Sequence, residues 1–177
     1  MLDPAIVRAR AAAIEVLALD VDGTLTDGRI YIGPQGEAMK AFSVRDGFGL
    51  TLLREAGLKL AIITARQSAI VEQRARELGI ATVMQGVRDK RQGIEALCAE
   101  LKVAPGNVGF AGDDWTDLPA MLAVGFAATV ADASAAVRER AHWVSALPAG
   151  AGAIRELAEF ILDSRGELQA ALERRLP

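Results

Sequence analysis

Residues Val16–Thr24 read VLALDVDGT: four apolar residues run directly into two aspartates that flank a valine. A short, wholly apolar run of this kind is typical of a strand buried on both faces of a parallel sheet. A carboxylate buried there without a partner is costly. Asp20 and Asp22 therefore require partners from other parts of the chain.

The rest of the chain alternates short apolar runs with amphipathic segments. Further strands are predicted at Leu58–Ile63, Thr82–Met84, Val108–Ala111, Gly125–Val130 and His142–Val144. Helices are predicted over Phe48–Ala56, over Ser68–Leu78 with its end at Gly79, and over Arg91–Leu101. This alternation predicts one α/β domain over residues 1–177, a Rossmann-like parallel sheet with helices on both faces.

Two segments depart from this alternation. Gly28–Val44 alternates in the manner of strands around the turn residues Pro34-Gln35-Gly36, which predicts a β-hairpin after the first strand. Residues 151–177 are predicted to form a helical tail with a break at Gly166. The chain has no other long insertion.

Composition excludes several classes of protein. The 177 residues carry a formal charge of −3, and the lysines and arginines are scattered, which argues against a nucleic-acid surface. The single cysteine, Cys98, excludes a disulfide framework. No apolar run approaches the ~18 residues of a membrane span. We expect a soluble, cytoplasmic protein.

A second acidic group follows the strand predicted at Val108–Ala111. It contains Asp113, Asp114 and Asp117 within the sequence AGDDWTD. Because ligands of open α/β sheets bind beyond the carboxyl ends of the strands, these side chains should meet Asp20 and Asp22 at one edge. Carboxylates gathered in this way favour a hard cation, and Mg²⁺ is the usual one.

Two further strand ends carry polar residues. Thr64 ends one strand and can donate to a phosphoryl oxygen, and Lys90 follows another after a short loop. A lysine beside carboxylates serves as a point charge for both a carboxylate and a phosphate. Together with Asp20, these residues predict phosphoryl transfer through a carboxylate nucleophile.

At this point the sequence resembles a known family. DVDGTLTDG, IITAR, Lys90 and GDDWTD match the four motifs of the haloacid dehalogenase-like (HAD-like) phosphatases. The hairpin, AFSVRDGFG at Ala41–Gly49 and AGAGAIRELAEFIL in the tail are similar to a capless, homotetrameric group within it. That group hydrolyses 3-deoxy-D-manno-octulosonate 8-phosphate in lipopolysaccharide precursor synthesis.

The resemblance implies a role for each motif residue. Asp20 would attack phosphorus, and Asp22 would protonate the leaving sugar oxygen and then deprotonate water. Mg²⁺ would be held by Asp20, Asp113 and the backbone carbonyl of Asp22. Thr64 and Lys90 would hold the phosphoryl oxygens. The implied substrate contacts are Asp22, Ser43, Val44, Arg45, Asp46, Gly47, Thr51, Arg66, Arg74 and Lys90.

Several residues have a second interpretation. Asp114 can equally cap a helix, and Asp117 can orient Lys90 or a metal-bound water. Arg66 and Arg74 can form surface salt bridges, and Thr51 can lie on a helix surface.

Alternative functions also stay open. A receiver-type phospho-switch uses similar residues but lacks an acid–base group two residues after the nucleophile. A catalytically idle HAD-like scaffold is another, and phosphatases of related nonulosonate 9-phosphates are the nearest rivals in substrate.

The absent cap bears on assembly. An open site binds a small anionic sugar weakly, and an isolated apolar hairpin is marginal in water. We therefore expect a homotetramer in which hairpins pair and each pocket is completed by a neighbouring subunit.

Overall fold

The computed structural model describes residues 2–176, which form an α/β domain around a six-stranded parallel sheet. The strands lie in the order β5-β4-β1-β6-β7-β8, and the predicted fold class is confirmed. Their bounds are β1 (Val16–Leu19), β4 (Lys59–Ile63), β5 (Thr82–Met84), β6 (Val108–Ala111), β7 (Phe126–Thr129) and β8 (Trp143–Val144). The quoted stretch thus supplies a central strand.

Helices cover both faces of the sheet. They are α1 (Pro4–Ala13), α2 (Val44–Glu55), α3 (Ala69–Leu78), α4 (Lys90–Leu101), α5 (Leu118–Met121), α6 (Ala135–Arg138), α7 (Ala153–Ser164) and α8 (Leu168–Glu173). In β1, Leu17 and Leu19 enter the hydrophobic cluster that contains side chains of α1, α2 and α7. Val16 and Ala18 enter the other cluster, with α4. β1 is therefore buried on both faces, as its apolar run predicts.

The hairpin consists of β2 (Tyr31–Gly33) and β3 (Gly36–Met39), which pair antiparallel. Its apolar side chains do not enter the core of the described chain. Ile32 is 79% exposed and Met39 is 57% exposed. The hairpin therefore presents apolar surface to its surroundings.

The structure begins α2 earlier than the sequence pattern predicts. The helix starts at Val44, because the Ser43 hydroxyl accepts a hydrogen bond from the Asp46 N–H and so caps it. We expected the hairpin to extend to Val44 and the helix to start at Phe48, and both bounds are wrong. The strongly polar first turn, which holds Arg45 and Asp46, hid the cap from the apolar pattern.

The tail packs against α2. A Cβ on Gly49 would lie 3.0 Å from the Arg155 Cα and 3.1 Å from the Ala158 Cβ, so the two helices approach closely at this glycine. Asp46, buried in α2, accepts hydrogen bonds from the N–H groups of Gly152 and Arg155 at the start of α7. Gly166 separates α7 from α8, as the sequence predicts.

Candidate active site

The carboxyl ends of β1, β4 and β6 form one edge of the sheet. Asp20 follows β1 and donates its N–H to the Ala111 carbonyl at 2.9 Å, and Thr64 follows β4 and donates its N–H to Met84 at 3.0 Å. This edge borders an open cleft of about 310 Å³. It is lined by Asp20, Asp22, Gly23, Gly28, Thr64, Ala65, Arg66, Lys90, Asp113, Asp114, Thr116 and Asp117.

Lys90 lies at the centre of the acidic group. Its side chain is 2% exposed, and its ammonium is 2.6 Å from Asp20 Oδ1 and also contacts Asp117 Oδ1. Burial opposes the charge of Lys90, but the two carboxylates outweigh it and raise the pKa of the ammonium. Lys90 is therefore charged throughout the neutral range, and its ammonium offsets part of the free-energy cost of burying the Asp20 carboxylate.

Asp117 has both of its oxygens engaged by the protein. Oδ1 accepts from Lys90, and Oδ2 accepts from the backbone N–H groups of Asp113 and Asp114 at 2.9 and 3.1 Å. Its carboxylate lies close enough to Asp20 and Asp113 to share an ion with them. Because three hydrogen bonds already engage its carboxylate, Asp117 is well placed to orient Lys90 and the Asp113 loop.

Asp113 is positioned by the loop after β1. Thr24 donates its hydroxyl to Asp113 Oδ1 at 3.0 Å. Gly23 has a positive φ of +92°, and a Cβ there would collide with the Asp113 carboxylate. Gly23 therefore leaves room for the Asp113 carboxylate, and Thr24 holds it by a hydrogen bond. Neither role was among the predictions made from the sequence.

Asp20 and Asp113 lose their protons less readily than ordinary aspartates. Burial, followed by the charge of Asp117, raises the pKa of Asp20 to about 6, although Lys90 opposes the shift. Burial, followed by the charges of Asp117 and Asp20, raises the pKa of Asp113 to about 7. One ammonium does not balance three carboxylates, so this edge favours an added cation.

Asp22 faces the hairpin. Its Oδ1 accepts a hydrogen bond from Lys40, and its Oδ2 lies 3.6 Å from the Arg66 Nε. Lys40 also lies 2.9 Å from Glu37 Oε1, and Arg66 lies 3.8 Å from the same oxygen. The sequence analysis missed Lys40 and Glu37, since nothing in the local pattern shows where the hairpin docks.

The structure brings together Asp20, Asp22, Thr64, Arg66, Lys90 and Asp113. It places Ser43, Val44, Arg45, Asp46, Gly47, Thr51 and Arg74 outside the walls of this cleft.

Several of these outlying residues have identified neighbours within the chain. The Thr51 hydroxyl bonds to the Gly47 carbonyl within α2. Arg74 pairs with Glu77 at 3.1 Å and lies over the Phe42 ring. Asp46 anchors α7, so its carboxylate is already engaged inside its own chain. As substrate contacts, the outlying residues stay predictions.

Comparisons with known proteins agree with this geometry. A sequence model of haloacid dehalogenase-like hydrolases matches residues 41–125. A 3-deoxy-D-manno-octulosonate 8-phosphate phosphatase from Yersinia pestis is 43% identical over 162 residues, covering 92% of this chain and 87% of the relative. The chain belongs to this phosphatase family. Its phosphatase motifs are the residues that meet at the sheet edge.

Two more members extend the comparison. The phosphatase of this name from Escherichia coli K12 is 42% identical over 92% of this chain and 87% of the relative. The family's crystal structure from Moraxella catarrhalis, in complex with magnesium, phosphate and the sugar acid, superposes with a TM-score of 0.95. It is 36% identical and covers 98% of this chain and 100% of that one. The family fold therefore extends over almost the whole chain.

Proposed function

We propose that the protein is a Mg²⁺-dependent phosphatase that hydrolyses 3-deoxy-D-manno-octulosonate 8-phosphate to the free sugar acid and phosphate. The observation that carries the proposal is the buried Asp20, held 2.6 Å from the Lys90 ammonium at the edge of an open cleft. Family members from Y. pestis and E. coli bear this activity in their names. Phosphate and the sugar acid occupy the M. catarrhalis member.

Asp20 serves as the nucleophile. Lys90 holds its carboxylate and offsets its negative charge, and the buried Thr64 supports the incoming phosphoryl group beside it. As Asp20 attacks phosphorus, the bond to the sugar oxygen breaks and Asp22 gives that oxygen a proton. Water then attacks the aspartyl-phosphate, Asp22 takes its proton, and Asp20 is released as a free carboxylate.

The residues at this edge fit Mg²⁺. Asp20 and Asp113 have carboxylate oxygens within 4.8 Å of one another, and their pKa values are raised first by burial and then by the neighbouring negative charge. Asp20, Asp113 and the Asp22 backbone carbonyl would hold the ion, which leaves open positions for phosphoryl oxygens. When bound, the ion neutralises charge on the transferring phosphoryl group.

We further propose a homotetramer that acts in the cytoplasm in lipopolysaccharide precursor synthesis. The cleft is open, and the nearby hairpin exposes apolar side chains such as Ile32. Ser43, Arg45 and Arg74, which do not line the cleft of their own chain, would contact a substrate shared with a neighbouring subunit. No helix within residues 2–176 has the length and apolar character to span a membrane.

A comparison of phosphate esters tests the substrate. Phosphate release should have its highest kcat/KM for 3-deoxy-D-manno-octulosonate 8-phosphate, well above that for nonulosonate 9-phosphates and hexose 6-phosphates. Activity should vanish in EDTA and return with Mg²⁺, whereas Ca²⁺ should not support it, because its looser coordination misplaces Asp20. The surface variant Asp163→Asn, which removes an exposed carboxylate paired with Arg8, is the matched control and should keep full activity.

Three results would contradict the proposal. A higher kcat/KM for a nonulosonate 9-phosphate would show that the proposed substrate is wrong. A stable phosphoprotein without turnover would indicate a phospho-switch. Absence of activity on every ester would leave an idle scaffold.

A further inference from the structure

The hairpin is fastened to the active site by two charged residues of its own. Glu37 lies in β3, and Lys40 follows that strand. The Lys40 side chain is 1% exposed, and its ammonium contacts Asp22 Oδ1 and lies 2.9 Å from Glu37 Oε1. A buried ammonium is tolerated only where carboxylates compensate it. The Asp22 loop and the hairpin therefore depend on each other.

Glu37 also connects the hairpin to the start of α3. Its Oε2 accepts a hydrogen bond from the Ser68 hydroxyl, and Ser68 is the N-cap of α3. The Ser68 N–H in turn donates to Gln85 Oε1 at 2.7 Å. The hairpin is thus anchored to the start of α3, and Lys40 is held where it meets Asp22.

Lys40 restricts the Asp22 side chain. Oδ1 accepts from the Lys40 ammonium, while Oδ2 lies 3.6 Å from the Arg66 Nε. Arg66 is 45% exposed, whereas Lys40 is almost fully enclosed, so Lys40 is the better fixed of the two cations. Oδ1 is therefore the more firmly held oxygen of Asp22, and Oδ2 is the less engaged one.

We propose that Lys40 is a positioning residue, which holds the Asp22 carboxylate for proton transfer and makes that transfer depend on a docked hairpin. The proposal rests on the proposed function of Asp22 as acid and base. Lys40 takes no proton itself: the proton passes from Asp22 to the leaving oxygen in the first step and from water to Asp22 in the second.

The test compares good and poor leaving groups. Lys40→Met keeps the length of the side chain and removes its charge. A positioned general acid is worth ~10²–10⁴-fold, and we expect Lys40→Met to forfeit at least about tenfold of this in kcat on the sugar phosphate. The phosphorylation step on p-nitrophenyl phosphate, followed by rapid quench, should fall less than about threefold because its leaving group needs no proton, and Lys40→Arg should recover part of the loss on the sugar phosphate.

A double-variant cycle separates positioning from a general structural effect. In an Asp22→Asn background, Lys40→Met should cause almost no further loss, because the group it positions is gone. Lys59→Met, the same change at an exposed residue of β4 distant from the cleft, serves as the matched control. Equal losses in kcat on the sugar phosphate and in the phosphorylation step on p-nitrophenyl phosphate, or an undiminished loss in the Asp22→Asn background, would overturn the proposal.

Two complications have their own controls. If Lys40→Met does not fold, Lys40→Gln, judged by its melting temperature, takes its place in the cycle. If the wild-type protein turns over a different primary sugar phosphate, the proposed substrate fails, and the cycle on that ester still decides the role of Lys40.

Discussion

The carboxylates of Asp20, Asp113 and Asp117 lie together at the carboxyl edge of the sheet, and among residues 2–176 Lys90 is the one cation that contacts them. Asp20 and Asp113 consequently have raised pKa values, about 6 and about 7 against an ordinary value of 3.8. Between pH 3.8 and about 7, the metal-free folded state binds more protons than the unfolded state. Its stability from these groups is therefore greatest at low pH and is lost as the pH rises through 7.

This loss of stability with rising pH leads to a prediction for Asp113→Asn. In EDTA at pH 8 the variant should melt above the wild-type protein, because one buried charge is removed and Thr24 can still donate to the amide oxygen. The difference should shrink toward pH 5, where Asp113 is protonated. About 2–4 °C is expected for each kcal/mol in a domain of this size. Mg²⁺ should stabilise only the wild-type protein at pH 8, and a variant less stable at both pH values would refute the assignment.

The role of Asp22 as general acid can be tested by comparing esters with poor and good leaving groups. Asp22→Asn keeps the volume of the side chain but cannot give up a proton. Turnover of a sugar phosphate should fall by the ~10²–10⁴-fold typical of general acid–base catalysis. The phosphorylation step on p-nitrophenyl phosphate should fall much less in rapid-quench kinetics. Equal losses on the two esters would show that Asp22 is not the acid.

At the scale of elements, the contact between α2 and α7 depends on Asp46. Its carboxylate accepts from the Gly152 and Arg155 N–H groups, which have no partner within their own helix. Asp46→Ala should cost about 1–3 kcal/mol, measured by denaturant unfolding, because buried donors are left unsatisfied. Asp46→Asn should cost less, and Asp163→Ala, which removes an exposed partner of Arg8, should cost under about 1 kcal/mol. Unchanged stability with a raised KM would instead make Asp46 a substrate contact.

The same elements show where sequence reasoning succeeds. Thr64 and Asp113 could be placed beside Asp20, because parallel strands end at a common edge whatever the details of packing. Gly166 marked the break between α7 and α8. Lys40 could not be found in this way, because its meeting with Asp22 depends on how an inserted hairpin docks. The role of Asp46 likewise depends on the position of α7, more than 100 residues later in the chain.

For the whole molecule, the hairpin surface and the open cleft lead to the assembly prediction. A variant shortened across Ile30–Met39 should be monomeric by light scattering and should lose sugar-phosphate activity far more than p-nitrophenyl phosphate activity. Because shortening also removes Glu37, Ile32→Ser serves as the cleaner variant, since Ile32 is 79% exposed and the change adds no charge opposite Glu37, its partner in the hairpin. It should weaken association, whereas Leu122→Ser, at a residue 69% exposed elsewhere, should not. A fully active monomer would refute the shared pocket.

Hydrolysis of the sugar phosphate through Asp20 can be tested by a single comparison. Phosphate release from 3-deoxy-D-manno-octulosonate 8-phosphate is followed in Mg²⁺ for the wild-type protein and for Asp20→Asn, with melting curves of both. The account predicts sustained release by the wild-type protein and no measurable release by a folded Asp20→Asn. A folded Asp20→Asn protein that keeps a substantial part of the wild-type rate would contradict it.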